Sequence, residues 1–185
     1  MSLSGKTLFI TGASRGIGLA IGLRAARDGA NVAIAAKTTD PHPKLPGTIY
    51  TAAEEIERAG GKALGVTADV ADGAAVQKMV AAAAARFGGV DILVNNAAVR
   101  AEQAFENMTL EQWRAVTSII LDGAFNCVQA CLPYLKKGGA GAIVNIGGLS
   151  AHTGAETSVY KPKRHLDLNP LKVGCNSYCN QNVTG

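Results

Sequence analysis

The sequence is poor in aromatic residues and has no concentration of charge of one sign. Aromatic residues make up 5% of the 185 residues and charged residues 17%, and 18 basic against 14 acidic residues leave a formal net charge of +4. The basic residues are scattered rather than gathered into a stripe, so we expect no nucleic-acid partner. A basic group near the end, with Lys161, Lys163 and Arg164, lacks the interleaved aromatic residues of a nucleic-acid surface. A small anionic ligand is compatible with the same charge.

The chain also lacks a recognisable leader segment, a long apolar run and the cysteine spacing of a zinc site. It begins M-S-L-S-G-K and enters an apolar segment directly, and no apolar run is long enough to cross a bilayer. We therefore expect a cytoplasmic protein with no membrane partner. The four cysteines form two C-x-x-x-C pairs, Cys127/Cys131 and Cys175/Cys179. This spacing favours buried thiols over a disulfide or a metal site.

What the chain does contain is an alternation of short apolar runs and amphipathic segments. The runs predict strands at residues 6–11, 31–37, 63–68, 92–95 and 142–146, and the amphipathic segments predict helices at 17–28, 51–59, 73–87 and 110–135. Strands that are nearly continuous apolar runs indicate a parallel sheet covered on both faces. Right-handed crossovers make it a doubly wound, three-layer α/β/α sheet of the Rossmann type, with the strand order 3-2-1-4-5.

This alternation is interrupted once and then stops. Residues 38–47 contain three prolines and predict a surface loop after the second strand. Residues 156–185 contain Pro162 and Pro170 and show apolar periodicity of neither kind. We therefore predict one α/β domain over residues 1–155, incomplete at its C-terminal end, followed by an irregular tail over residues 156–185.

A glycine-rich turn, T-G-A-S-R-G-I-G at residues 11–18, lies between the first predicted strand and the first helix. In that context Gly12 permits a sharp turn, Gly16 lets the backbone approach a pyrophosphate, and Gly18 lets the helix pack closely on the sheet. The helix N-terminus adds N–H donors and a positive dipole. A glycine-rich turn without a ligand is the alternative. The predicted cofactor contacts in this turn are Gly12, Ser14, Arg15, Gly16, Ile17 and Gly18.

These residues resemble the cofactor turn of the short-chain dehydrogenase/reductase family, T-G-x-x-x-G-x-G. Asp69-Val70 matches the family's D-V after the third strand, and N-N-A-A at residues 95–98 matches its N-N-A-G except at Ala98. The resemblance covers about residues 1–155, and residues 41–57 are similar to hydroxysteroid dehydrogenase-like members. It implies an oxidoreductase acting on a carbonyl or secondary alcohol, with a carboxylate, Asp69, near the adenine of a nicotinamide dinucleotide. It also implies cofactor contacts for Val70, Asn96 and Ala97.

The end of the second predicted strand bears on the choice between NAD(H) and NADP(H). An acidic residue there would accept hydrogen bonds from the ribose 2′-OH and repel a 2′-phosphate. The chain reads Ala35-Ala36-Lys37 instead, and Lys37 together with Arg15 would bind the extra phosphate. The sequence therefore favours NADP(H), although two solvated surface cations would give the same pattern.

The resemblance also implies a Tyr-x-x-x-Lys pair that handles the proton, a Ser that binds the substrate oxygen, and an Asn on the preceding helix. In Tyr-x-x-x-Lys the two side chains share a helix face, so the ammonium lowers the pKa of the phenol. No Tyr-x-x-x-Lys occurs in these 185 residues. Tyr160 comes near the expected distance, but position 164 is Arg and Pro162 interrupts the turn.

The other two implied positions also differ from the family's pattern. Gly148 stands where the family has its Ser, which leaves Ser150 as the nearest substitute, and Ile120 stands at the position of the helix Asn. We name Ser150 and Tyr160 as the candidate catalytic residues. Three interpretations remain open: a cofactor-binding member that does not turn over substrate, a chain shortened or altered in frame near residue 155, and an enzyme with relocated acid/base groups. The expected partners are the dinucleotide, an unidentified carbonyl or alcohol, and in a homo-oligomer a second copy of the chain.

Overall fold

Five parallel strands form the centre of the computed structural model, which describes residues 2–40, 47–99, 105–147 and 182–183. The strands are β1 (Thr7–Thr11), β2 (Asn31–Ala36), β3 (Lys62–Thr67), β4 (Ile92–Asn95) and β5 (Gly141–Asn145). They lie in the order β3-β2-β1-β4-β5, and this confirms the predicted doubly wound sheet. The order reverses between β1 and β4, where both strands end at the same edge.

A sixth strand, β6 (Asn182–Val183), extends the sheet beside β5 and runs antiparallel to it. It lies in the segment for which the sequence predicted only irregular structure. Two residues are too few to show a period-2 pattern, so the strand is defined by its backbone pairing alone. Among the described strands within residues 6–147, every pair is parallel, as the sequence predicted.

Helices cover both faces of this sheet. They are α1 (Gly16–Arg27), α2 (Ile49–Arg58), α3 (Gly73–Phe87), α4 (Leu110–Thr117) and α5 (Gly123–Lys137), with a short 3-10 helix at Phe105–Asn107. The predicted continuous helix over residues 110–135 is wrong in one respect, because a π-helical segment, Ser118–Asp122, joins α4 to α5. Apolar periodicity does not reveal a π segment, since the inserted residue changes the helix locally without ending it.

The two faces of the sheet have separate cores, because successive residues of a strand point to opposite faces. Phe9 and Leu93 point towards α3 and α5, where they pack with Met79, Cys127 and Leu135. Leu8, Ile10, Ile34 and Val94 point towards α1 and α2 and pack with Ile56. This two-sided burial is the reason that β1 and β2 read as uninterrupted apolar runs.

The helical stretch Leu110–Lys137 is 28 residues long and has a mean hydropathy of 1.4 over its most apolar 18 residues, of which 22% are buried. By length and composition it meets the criterion for a bilayer-spanning helix, contrary to the sequence expectation that no run is long enough. The apolar face towards the core explains part of this value, since Cys127, Cys131 and Leu135 are fully buried. Elsewhere in this stretch, Leu110 of α4 and Phe125 of α5 are each more than half exposed.

Candidate dinucleotide-binding site

The first helix begins in a way that suits an anionic ligand. Among the described residues, its N-cap residue Arg15 makes no side-chain capping hydrogen bond, whereas Thr48, Asp72 and Thr109 cap α2, α3 and α4. The N–H groups of a helix's first turn have no partner within the helix, and together with the helix dipole they favour a negative group. The start of α1 therefore fits the phosphates of a dinucleotide.

The glycines before and inside α1 have distinct steric roles. Gly12 has a φ of +66°, and a Cβ on it would lie 2.9 Å from the Cα of Ala97. A Cβ on Gly18 would lie 2.6 Å from the Nδ2 of Asn96, so this helix position tolerates no side chain. Gly16 has a φ of +59°, but no described atom lies within 4 Å of the Cβ it would carry. The space beside Gly16 is thus open, as close approach of a ligand to the backbone requires.

Thr11 and Asn96 connect the ends of β1 and β4. The Nδ2 group of Asn96 donates to the carbonyl oxygens of Thr11 and Gly12 at 2.9 and 3.1 Å. The hydroxyl oxygen of Thr11 accepts from the backbone N–H groups of Asn96 and Ala97 at 3.0 and 2.9 Å. The Asn96 side chain therefore positions the glycine-rich turn, a role that its match to the family motif did not indicate.

A cleft of about 720 Å³ opens at the carboxyl ends of the strands, next to the point where the strand order reverses. Doubly wound sheets bind their ligands at this point. Eight of the residues predicted to contact a cofactor line the cleft, together with Thr38, Asp40 and Ile119 from the loops and the π-helical segment. The eight are Gly12, Ser14, Arg15, Lys37, Asp69, Val70, Asn96 and Ala97.

Three predicted contacts, Gly16, Ile17 and Gly18, are not among the lining residues of the described chain. Gly18 is buried against Asn96 and Ala13, so it serves the packing of α1 rather than the cleft wall. Ile17 is 65% exposed at the start of α1. Ser150 and Tyr160, the candidate catalytic residues, lie outside the described residues.

The cleft carries charges of both signs. Lys37 follows β2, and its Nζ forms an ion pair with the Oδ2 of Asp69, which follows the neighbouring strand β3. The Oδ1 of Asp69 accepts from the N–H of Ala71 at 3.0 Å. Partial burial raises the pKa of Asp69, but the hydrogen bonds from Lys37 and Ala71 and the charge of Lys37 outweigh it, so that the pKa lies below its ordinary value.

The Arg15 side chain is held by Thr38, whereas Lys37 is held by Asp69. The Nη2 of Arg15 donates to the hydroxyl oxygen of Thr38 at 3.1 Å. Asp40, two residues further on, also lines the cleft and accepts at its Oδ2 from the Thr39 hydroxyl. In the sequence the second strand ends without a carboxylate, and Asp40 was not predicted as a cleft residue because its loop returns to the cleft four residues after the strand.

The Asp69-Val70 segment is positioned by α5. A Cβ on Gly123 would lie 2.7 Å from Cγ2 of Val70, and Nδ2 of Asn126 donates to the Val70 carbonyl at 3.0 Å. One turn of helix separates Gly123 from Asn126, so both contact the same segment. These two residues were not predicted from the sequence. The feature that could have identified them is the presence of a glycine and an asparagine, three positions apart, in an otherwise apolar helix.

The cysteines of α5 are buried and are not among the described residues that line the cleft. Cys127 and Cys131 are fully buried, as expected. Burial raises the pKa of the Cys127 thiol to about 12, and burial together with Cys127 raises that of Cys131 further. Both side chains therefore stay protonated at neutral pH. Cys175 and Cys179 lie outside the described residues.

Comparison with known proteins identifies a family with this fold. The family model described as short chain dehydrogenase matches residues 6–161. Hydroxysteroid dehydrogenase-like protein 2 of Rattus norvegicus is 54% identical over 145 residues, which are 78% of this chain and 28% of the rat protein. The protein of that name from Homo sapiens is 51% identical over 144 residues, 78% of this chain and 34% of the human one. The chain thus spans about a third of the length of these curated relatives.

Solved structures of short-chain dehydrogenases are similar to this chain in both sequence and fold. A short chain dehydrogenase from Mycobacterium thermoresistibile is 49% identical with a TM-score of 0.76, and the match covers 79% of this chain and 52% of that one. A short-chain type dehydrogenase/reductase from Mycobacterium marinum is 33% identical with a TM-score of 0.77, covering 86% and 63%. The chain therefore shares both fold and sequence with these proteins over most of its own length.

Proposed function

Because the chain belongs to the short-chain dehydrogenase/reductase family of oxidoreductases, we propose that its cleft binds NADP(H) in preference to NAD(H). The family binds a nicotinamide dinucleotide, which supplies hydride transfer to or from a carbonyl or secondary alcohol when bound. The proposal assigns the pyrophosphate to the uncapped start of α1 and the adenine to the Asp69-Val70 side of the cleft.

The observation that carries this proposal is the convergence of eight residues predicted to contact a cofactor on one cleft, at the reversal of strand order. The residues come from four separate stretches of sequence, so their meeting follows from the fold and not from proximity along the chain. The open space beside Gly16 and the uncapped helix N-terminus support a phosphate there.

The preference for NADP(H) rests on Arg15 and Lys37, the two cations that line the cleft among the residues that the structure describes. A 2′-phosphate is a dianion that accepts charge-assisted hydrogen bonds from both kinds of side chain. Asp40 and Asp69 oppose this attraction, since each carries a negative charge on the same cleft. We therefore propose a modest preference rather than an absolute one.

The sequence also favours a second interpretation, in which the protein binds the nucleotide at this site but turns over little substrate. The family's Tyr-x-x-x-Lys pair does not occur in these 185 residues, and Ile120 replaces the helix Asn within the π-helical segment. An isoleucine cannot donate or accept a proton. We propose that the chain binds cofactor but reduces carbonyl compounds slowly.

Two measurements on the full chain test these proposals. Titration with NADPH and NADH, followed by nicotinamide fluorescence, should show saturable binding of both and tighter binding of NADPH. Incubation with NADPH and a panel of ketones, followed by loss of nicotinamide absorbance, should show little turnover. If neither dinucleotide binds, the cofactor proposal is wrong; rapid turnover would contradict only the proposal of low activity.

The sequence expectation of a cytoplasmic location remains a proposal. So does the homo-oligomer, which the exposed Phe125 side chain on the outer side of α5 supports. A second copy packed on that side would remove the exposed Phe125 side chain from water.

A further inference from the structure

The ion pair between Lys37 and Asp69 joins two adjacent strand ends inside the proposed cofactor cleft. Ala36 and Thr67 are register partners on β2 and β3, and the N–H of Ala68 donates to the Ala36 carbonyl at 3.3 Å just beyond them. Lys37 and Asp69 therefore extend from the same edge of the sheet. Their side chains are 60% and 37% exposed, so a ligand in the cleft can reach both.

The carboxylate is the fixed member of this pair. Its Oδ1 is held by the N–H of Ala71, and the following Val70 is packed against Gly123 and bonded by Asn126. Lys37 has a long side chain that is more exposed, so its ammonium takes the position that Asp69 sets. The ammonium is thus drawn to the end of β3, whereas the Arg15 guanidinium is held at Thr38.

We propose that Asp69 is a specificity-determining residue that weakens the preference for NADP(H) by competing for Lys37. A 2′-phosphate can form an ion pair with the Lys37 ammonium only if Asp69 shares that ammonium or releases it. NAD(H) does not compete with Asp69 for the Lys37 ammonium, because its ribose carries a neutral 2′-OH. Asp69 therefore acts on the difference between the two cofactors through Lys37, separately from any contact with the adenine that both cofactors share. This inference rests on the proposed function.

The pKa of Asp69 supports the competition over a wide pH range. Since the carboxyl's pKa lies below its ordinary value, Asp69 stays ionised at every pH at which dinucleotide binding is normally measured. The competition for Lys37 is accordingly present throughout that range.

The test measures the ratio of the dissociation constants of NADH and NADPH, by nicotinamide fluorescence, for the full chain and its variants. Asp69→Asn removes the charge while its Oδ1 still accepts from Ala71, and Asp69→Ser is a second neutral variant. The matched control is Asp72→Asn, which removes the same charge from an exposed N-cap outside the cleft lining. Lys37→Met, alone and combined with Asp69→Asn, shows whether the effect passes through Lys37.

We expect Asp69→Asn and Asp69→Ser to raise the ratio about two- to fivefold, the range that one exposed ion pair supports. Asp72→Asn should leave the ratio unchanged, and the rise should disappear in the Lys37→Met background. The inference is overturned by an unchanged or lower ratio in both Asp69 variants, by an equal rise in Asp72→Asn, or by an equal rise in the Lys37→Met background. Loss of both dinucleotides in the Asp69 variants would also overturn it. If the unmodified chain binds neither dinucleotide, the proposed function fails, and the inference fails with it.

Discussion

Thr11 and Asn96 each satisfy the other's polar groups at the ends of β1 and β4. The Asn96 amide donates to the Thr11 carbonyl at 2.9 Å, and the Thr11 hydroxyl oxygen accepts from the Asn96 backbone N–H at 3.0 Å. The two residues are 85 positions apart in the chain. This reciprocal contact holds the glycine-rich turn against β4, so the geometry of the proposed phosphate site depends on it.

Thr11→Val should therefore destabilise the protein although it hardly changes side-chain volume. Thr11 is 2% exposed, and without its hydroxyl the N–H groups of Asn96 and Ala97 lose their acceptor. Each buried N–H left without an acceptor costs about 1–3 kcal/mol. Urea unfolding followed by circular dichroism measures the loss. The control is Thr67→Val, the same change at an exposed position of β3; equal midpoints for the two variants would contradict the role of Thr11.

Gly18→Ala should also destabilise the protein, against the usual effect of this change in a helix. Alanine has the better helix propensity by about 0.8–1.0 kcal/mol. The new Cβ would lie 2.6 Å from Asn96 Nδ2 and 2.8 Å from the Cα of Ala13, so something must move. We expect a net loss of about 1–3 kcal/mol together with weaker NADPH binding.

The matched control for this change is Gly89→Ala, where no described atom lies within 4 Å of the added Cβ. Its free energy of unfolding should stay within about 0.5 kcal/mol of the unmodified protein. Denaturant unfolding of both variants gives the comparison. A Gly18→Ala protein as stable as the parent, with unchanged dinucleotide affinity, would show that α1 is not packed as described.

Lys37→Asp should narrow or reverse the preference for NADPH. The change removes a cation from the cleft and places a second carboxylate beside Asp69, so a 2′-phosphate loses an attraction and gains a repulsion. We expect the ratio of the NADH and NADPH dissociation constants to fall about three- to tenfold, as measured by nicotinamide fluorescence. Lys62→Asp, at the exposed start of β3, makes the same charge change at the opposite edge of the sheet. Equal affinities for the two cofactors before mutation would refute the argument from Lys37.

We expect these 185 residues to have little or no dehydrogenase activity. An isolated tyrosine titrates near pH 10 unless a neighbouring cation stabilises its phenolate, and loss of general acid/base help costs a factor of about 10²–10⁴ in rate. The Tyr160 sequence context offers Arg164 in place of lysine and places Pro162 between them. Spectrophotometric assays with NADPH and ketones measure the rate. Rapid turnover that disappears in Tyr160→Phe would prove this prediction wrong and would identify Tyr160 as the acid.

In solution we expect the protein to form a homo-oligomer through the outer side of α5. Phe125 is 53% exposed there, and Phe125→Glu should shift the protein to monomers in light scattering coupled to size exclusion. Gln77→Glu adds the same charge at an exposed position of a different helix, α3, and should leave the mass unchanged. A monomeric parent protein would contradict the proposed interface.

The order of the sheet followed from the sequence because its signals are local or follow from general chain geometry. Apolar runs such as residues 6–11 and 31–37 identify buried strands, glycine and proline separate them from helices, and right-handed crossovers leave few arrangements of parallel strands. The glycine-rich turn was recognisable for the same reason, since its backbone conformation depends on residues within eight positions of one another. In these respects the sequence alone was sufficient.

The partners of the polar side chains were decided only by the tertiary structure. Lys37 was predicted as a phosphate ligand, but the register of β2 with β3 places its side chain against Asp69. Asp40 was not predicted, because only the path of its loop brings it to the same cleft. The π-helical segment and the short β6 likewise have no periodic signature. The physical reason is that a charged or amide side chain binds whichever group the fold brings within about 3 Å, and sequence spacing carries no information about that distance across strands.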